Sequence, residues 1–170
     1  MGPGVQARAA IIRALPQPAA PARSLPMPDT APPPFSFSLR VYWEDTDAGG
    51  IVFYANYLKY FERARTEWLR SLGHGQERLR VETGVMFVVT DTAVSYRSPA
   101  RLDDLLDVTV HVKHAGLAQM TIAQQAWRSN AQGKRLLADG TIRIACVNAG
   151  TFRPQRVPIS ITSSLHKKNE

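Results

Sequence analysis

The sequence predicts an α+β fold in which one antiparallel sheet wraps a single long central helix. Three observations carry this. Only one long stretch, from about Tyr54 to Leu72, repeats its apolar residues at helical spacing. Five other stretches alternate, or run apolar, at strand length. Their order is one strand, the helix, then four strands in succession, with no second long helix to build another layer.

Residues 1–34 precede the fold. They hold Pro16, Pro18, Pro21, Pro26, Pro28 and Pro32–Pro34 among alanines and lack periodicity. Such a segment buries too little apolar surface to offset its ordering entropy and is expected to be disordered. Ala9–Leu15 is too short for a signal peptide and is interrupted by Arg13.

The domain is expected over residues 35–158. Phe35, Phe37, Leu39, Val41 and Trp43 alternate with Ser36, Ser38, Arg40, Tyr42 and Glu44, as in a half-buried strand. Asp45 to Gly50 then forms an acidic, glycine-rich turn. The helix follows, ended by Gly73 in the usual C-terminal position. Leu58, Phe61, Ala64, Trp68, Leu69 and Leu72 mark its packing face, and Glu62, Arg63, Arg65, Glu67 and Arg70 its polar side. His74–Gly84 reads as a loop. Strands are expected near Val85–Tyr96, Leu105–Lys113, Gln119–Trp127 and Arg135–Val147, with a hairpin loop over Ser129–Lys134. Residues 159–170 read as a polar tail.

Composition narrows the function classes. The chain has 170 residues, enough for one domain with a core, and 44% of them are hydrophobic. No run approaches the roughly 18 apolar residues of a membrane helix. The net charge of +7 suits nucleic acid, an anionic surface or a polyanionic small molecule. The bases are scattered, however, without interleaved aromatics, so nucleic acid is not expected as a partner. The single cysteine, Cys146, permits no intramolecular disulfide and fits a reducing, cytoplasmic compartment. It shares a strand face with Ile142 and Ile144 and reads as a buried structural thiol. His74, His111, His114 and His166 show no metal-ligand spacing, and no cofactor is expected.

The chemistry lies in Asp45-Thr46-Asp47-Ala48-Gly49-Gly50-Ile51-Val52-Phe53-Tyr54-Ala55-Asn56-Tyr57, between strand and helix. With Ser95-Tyr96-Arg97-Ser98-Pro99-Ala100-Arg101-Leu102-Asp103-Asp104 and Phe152-Arg153-Pro154, it resembles the 4-hydroxybenzoyl-CoA thioesterase branch of the hotdog superfamily. Within that branch it is most similar to the Tol-Pal-system-associated acyl-CoA thioesterases. The resemblance implies a hotdog fold and an acyl-CoA thioesterase for short-chain or aromatic acyl groups. It also implies edge-to-edge homodimers that assemble into tetramers.

It further implies that Asp47 does the chemistry, as nucleophile or as general base, and that the backbone N–H of Tyr54 donates to the oxyanion. Physically, a carboxylate at a strand-to-helix turn can reach a carbonyl held at the helix N-terminus, where free amides and the dipole stabilise negative charge. Gly50 and Gly49 let the backbone approach the thioester closely. Gly49, Val52 and Tyr57 are expected along the substrate, and Arg97 and Lys113 are candidates for the CoA phosphates, together with Arg101. Taken alone, Asp47 could instead cap the helix or hold the turn. Asp45 reads as a structural turn residue, and Glu62 and Glu67 as ion-pair partners of neighbouring arginines.

Relatives often carry His where this chain has Tyr54, and arginines in the turn that here reads His114-Ala115-Gly116-Leu117-Ala118-Gln119. Two alternatives stay open. One is a non-catalytic hotdog protein that binds acyl groups or acyl carrier protein within an envelope complex. The other is peripheral attachment at the inner membrane surface.

Overall fold

The computed structural model describes residues 34–130 and 133–167. The expectation for residues 1–33 lies outside these. Alternation makes strand β1 (Phe35–Arg40), which ends sooner than its apolar pattern. Val41 is fully buried and exchanges backbone hydrogen bonds with Asp103 and Asp104 (3.1 and 3.0 Å). Those bonds turn the chain out of the sheet, and a short 3-10 turn (Trp43–Asp45) leaves Trp43 79% exposed.

Helix α1 (Asn56–Ser71) starts two residues later than predicted, because Tyr54 and Ala55 form a turn closed by Asn56 N–H to Phe53 O at 2.9 Å. Its buried face comprises Asn56, Tyr57, Tyr60, Phe61, Ala64, Trp68 and Leu69. Leu58, expected on that face, is instead exposed. Arg65 leaves the expected polar side: it is partly buried and donates to Gln124 Oε1 at 2.7 Å. Desolvation lowers its pKa. Glu67 pairs with Arg70 as expected, but Glu62 accepts from the Thr66 hydroxyl (2.7 Å) instead of an arginine.

The expected loop after α1 holds a second helix, α2 (Gln76–Thr83). Leu79 is its one buried residue, so no apolar stripe marks it in the sequence. Gly84 ends it at φ +67, a left-handed conformation that glycine adopts without strain. Strands β2 (Val85–Tyr96), β3 (Leu105–Ala115), β4 (Gln119–Asn130) and β5 (Gly133–Asn148) follow, close to the predicted spans. The β4–β5 hairpin is tighter than expected, since Ser129 pairs with Lys134 and Asn130 with Gly133. Beyond β5 the predicted tail forms helix α3 (Ile159–Lys167). Ile161 is fully buried and Leu165, one turn on, packs against the core. Two apolar residues at one helical spacing anchor the segment, while Ile159 at its start stays 81% exposed.

The five strands form one antiparallel sheet in the order β1-β3-β4-β5-β2, with β1 and β2 at the edges. One face buries Leu106, Val108, Val110, Met120, Ile122, Ala126, Ile142 and Ile144, and α1 lies across it. A Cβ on Gly140 would stand 3.0 Å from Phe61 Cε2 and from Ala93 O, so glycine is what lets α1 approach β5 and β2 this closely. Lys113, His111, Thr109 and Gln125 alternate with the core residues and face away from the helix.

Candidate active site

Asp45 ties the strand-to-helix turn together. It is 3% exposed, and its Oδ2 accepts the Tyr42 N–H at 2.9 Å. Its backbone oxygen accepts both the Phe53 N–H and the buried Asn56 Nδ2, each at 2.9 Å. The chain before the turn is thereby fastened to the first residues of α1. The buried Tyr60 hydroxyl lies nearby, and burial followed by the Asp45 carboxylate pushes that phenol far above its ordinary range. The structural role read for Asp45 rests on these contacts.

Beyond Asp45 the chain makes a tight loop. Thr46 bridges to Val52, Asp47 N–H donates to Ile51 O (2.9 Å), and Gly50 N–H to Asp47 O (2.9 Å). Gly50 has φ +68, where a side chain would be strained. A Cβ on Gly49 would stand 3.0 Å from Asp47 Oδ1, the oxygen that accepts the Gly49 N–H at 2.8 Å. That bond orients the exposed carboxylate, while Oδ2 has no hydrogen-bond partner among the described residues. Asp47 therefore holds the turn and also presents a free oxygen to solvent.

At the other end of this loop lies the start of α1. The Tyr54 N–H, one residue ahead of the α1 N-cap Ala55, donates no hydrogen bond among the described residues. Phe53, Tyr54 and Tyr96 surround it and are 41%, 61% and 48% exposed. The Tyr96 hydroxyl donates to Tyr54 O at 3.1 Å, and the Tyr54 and Tyr96 rings meet edge to face at 6.2 Å. An ionisable oxygen and an unbonded amide thus belong to one segment leading into a helix N-terminus, with the exposed rings of Phe53, Tyr54 and Tyr96 around the amide. That arrangement suits attack on a carbonyl whose oxygen becomes negative.

Of the predicted site residues, Asp47, Gly49 and Gly50 form the turn, and Tyr54 lies between that turn and α1. Val52 and Tyr57 lie beneath the site, not on its surface. Val52 is 4% exposed and its N–H donates to Ala100 O (2.9 Å). Tyr57 is 3% exposed, its hydroxyl accepts the Ala100 N–H (3.1 Å), and burial raises its pKa. Both fasten the turn and helix to the segment before β3. Arg97 and Lys113 do not join the cluster. Arg97 pairs with Asp139 (Nε to Oδ1 2.6 Å), and Lys113 lies on the sheet face remote from α1. Sequence reasoning missed Asn56 and Tyr96. Both stand inside the motif segments, but their partners are backbone oxygens distant along the chain.

Cys146 is fully buried, and desolvation pushes its thiol up to about 11. Among the described residues no helix is long and apolar enough to cross a membrane, and no cluster of His, Cys, Asp and Glu is arranged to hold a metal ion.

Comparison with known proteins points the same way. The sequence profile of the thioesterase-like superfamily matches residues 41–165. The acyl-CoA thioesterase YbgC of Haemophilus influenzae is 42% identical over 132 residues, covering 78% of this chain and 94% of that protein. The acyl-CoA thioester hydrolase YbgC of Escherichia coli is 38% identical, covering 77% of this chain and 95% of that protein. Among solved structures, a probable thioesterase from Bartonella henselae superposes with a TM-score of 0.66 at 30% identity, over 72% of this chain and 98% of that one.

Proposed function

This chain belongs to the thioesterase-like superfamily, and from that premise we propose that it hydrolyses acyl-CoA thioesters, with Asp47 as the reacting carboxylate and the Tyr54 amide as oxyanion donor. It is an acyl-CoA thioester hydrolase with the hotdog arrangement of sheet and helix. What supports the residue assignment is that the segment leading into α1 holds both an Asp47 oxygen and a Tyr54 amide without partners among the described residues.

Two courses fit this geometry. As a general base, Asp47 takes a proton from water as the hydroxide oxygen bonds to the acyl carbon. As a nucleophile, Asp47 itself bonds to that carbon, giving a mixed anhydride that water then cleaves. In both, the carbonyl electron pair moves onto oxygen, where the Tyr54 N–H and the helix dipole meet it. The pair then returns as the C–S bond breaks, and the CoA thiolate leaves and is protonated. Single turnover in 18O-labelled water detects the second course when water attacks the Asp47 carbonyl of the anhydride: the label then stays on Asp47 and an Asp47 oxygen leaves in the product, whereas a general base always puts the label in the product.

The exposed rings of Phe53, Tyr54 and Tyr96 around the Tyr54 amide support short-chain or aromatic acyl groups as substrates. Arg101 is the better candidate for the CoA phosphates. It directly follows Ala100, whose carbonyl holds the Val52 amide, and it is exposed and in no ion pair among the described residues. Edge strand β2 exposes Val89 (52%) and Tyr96, and pairing of this edge with a second copy would cover it. The enzyme is accordingly read as a dimer or tetramer, in a reducing compartment that suits its single buried thiol.

Release of free thiol from a panel of acyl-CoA esters tests the activity. Turnover of acetyl-, butyryl- or benzoyl-CoA exceeding that of palmitoyl-CoA supports the reading. No hydrolysis of any ester would overturn it in favour of an acyl-binding protein. Light scattering is expected to give at least twice the 18.8 kDa chain mass, and a monomer at micromolar concentration would defeat the assembly.

A further inference from the structure

The carbonyl of Tyr54 lacks the partner that a regular helix supplies. In an α-helix it would accept the amide four residues on, which is that of Leu58. Here the Leu58 N–H donates to Ala55 O at 3.1 Å instead. The bond that Tyr54 O does receive comes from the end of edge strand β2, where the Tyr96 hydroxyl donates at 3.1 Å. The ring that carries this hydroxyl is held in turn. It meets Tyr54 edge to face (6.2 Å, 80°) and Tyr57 at 5.6 Å and 62°. Tyr57 is itself buried and bonded to the Ala100 amide.

Two amides depend on this carbonyl. The Tyr54 N–H lies in the Phe53–Tyr54 peptide, whose carbonyl accepts the Asn56 N–H at 2.9 Å, so holding the next peptide at the Tyr54 C=O limits how the two planes turn against each other. The Ala55 N–H shares one peptide unit with that C=O, and a hydrogen bond accepted at the oxygen polarises the N–H across the amide. Neither N–H donates a hydrogen bond among the described residues. From the other side, the Phe53 N–H is pinned to Asp45 O at 2.9 Å. The peptides leading into α1 are therefore clamped by Asp45 before Tyr54 and by Tyr96 after it.

We infer that Tyr96 is a positioning residue of the oxyanion site: its hydroxyl holds the Tyr54 carbonyl so that the Tyr54 and Ala55 amides converge on the thioester oxygen. The inference rests on the thioesterase reading and goes beyond it, because it assigns the preorganisation of the donors to a side chain of the edge strand. It concerns the transition state, where charge reaches the oxygen, more than substrate binding.

The test is Tyr96→Phe, which keeps both ring contacts and removes only the O–H. The expected result is a kcat about three- to tenfold lower, as for the loss of one modest hydrogen bond. KM and melting temperature should stay near wild type. Affinity for a trifluoromethyl-ketone CoA analogue, which binds as an oxyanion, should fall by the same factor as kcat/KM, while affinity for free CoA holds. Tyr96→Leu, which removes the ring as well, should lose at least as much. Wild-type kcat in folded Tyr96→Phe would overturn the inference, as would a loss confined to KM or accompanied by an equal loss in free-CoA affinity. These outcomes are read on an ester that wild type hydrolyses. Failure of wild type on every ester would instead overturn the underlying thioesterase reading.

Discussion

Asn56→Ala removes the side chain that staples α1 to the Asp45–Gly50 turn. Asn56 is 5% exposed, and its Nδ2 donates to Asp45 O at 2.9 Å. The Phe53 N–H donates to the same oxygen, so the substitution leaves no carbonyl orphaned. The cost is then one buried hydrogen bond and a small void, together roughly 1–3 kcal/mol. For a domain of this size that lowers the melting temperature by roughly 3–10 °C. Asn56→Asp is isosteric but replaces the donor with a carboxylate beside a carbonyl, so it should be less stable than Asn56→Ala. Because the staple also sets where Asp47 lies relative to the Tyr54 amide, kcat should fall about tenfold or more in Asn56→Ala. Thermal unfolding by circular dichroism and thiol-release kinetics on the same preparations read both effects. Wild-type stability in both variants would refute the staple. Lost stability with wild-type kcat would refute its link to the site.

Two further outcomes follow from packing. Gly140→Ala places a methyl 3.0 Å from Ala93 O and Phe61 Cε2 and 3.2 Å from Val94 Cγ2. It should cost about 1–3 kcal/mol as overpacking, and chemical denaturation would show this as a lower midpoint at unchanged slope. Cys146, buried and with its thiol pushed up to about 11, should resist iodoacetamide at neutral pH in the native protein and react fully in denaturant. Rapid alkylation of the folded protein with loss of turnover would contradict its structural role.

Elements that bury one regular face were legible in the sequence. Val108 and Val110 alternate with residues of the outer face in β3, and Phe61, Ala64, Trp68 and Leu69 recur along α1. Elements held by one or two apolar residues were not. Leu79 alone anchors α2, and Ile161 with Leu165 anchors α3 among serines and threonines. β1 ends before its apolar pattern does because Val41 takes its bonds from the segment before β3, a partner more than sixty residues away. At the site, the turn was readable from Asp47, Gly49 and Gly50, since local bonds and a positive φ define it. Arg97 and Lys113 were placed by proximity along the chain, whereas cross-strand register decides which face each serves. Tyr96 and Asn56 act on backbone oxygens, which carry no sequence signature.

The central claim is that Asp47 does the chemistry instead of only holding its turn, and the direct measurement is turnover of Asp47→Asn beside Asp45→Asn. Asparagine keeps an oxygen to accept the Gly49 N–H, so the turn should survive, but its amide is a poor base or nucleophile. The account predicts a folded, assembled Asp47→Asn protein that binds substrate and turns over at least ~10²-fold more slowly. Asp45→Asn, whose side-chain oxygen can still accept the Tyr42 N–H, should lose stability more than turnover. Near wild-type hydrolysis by folded Asp47→Asn, or equal losses in the two variants, would contradict it.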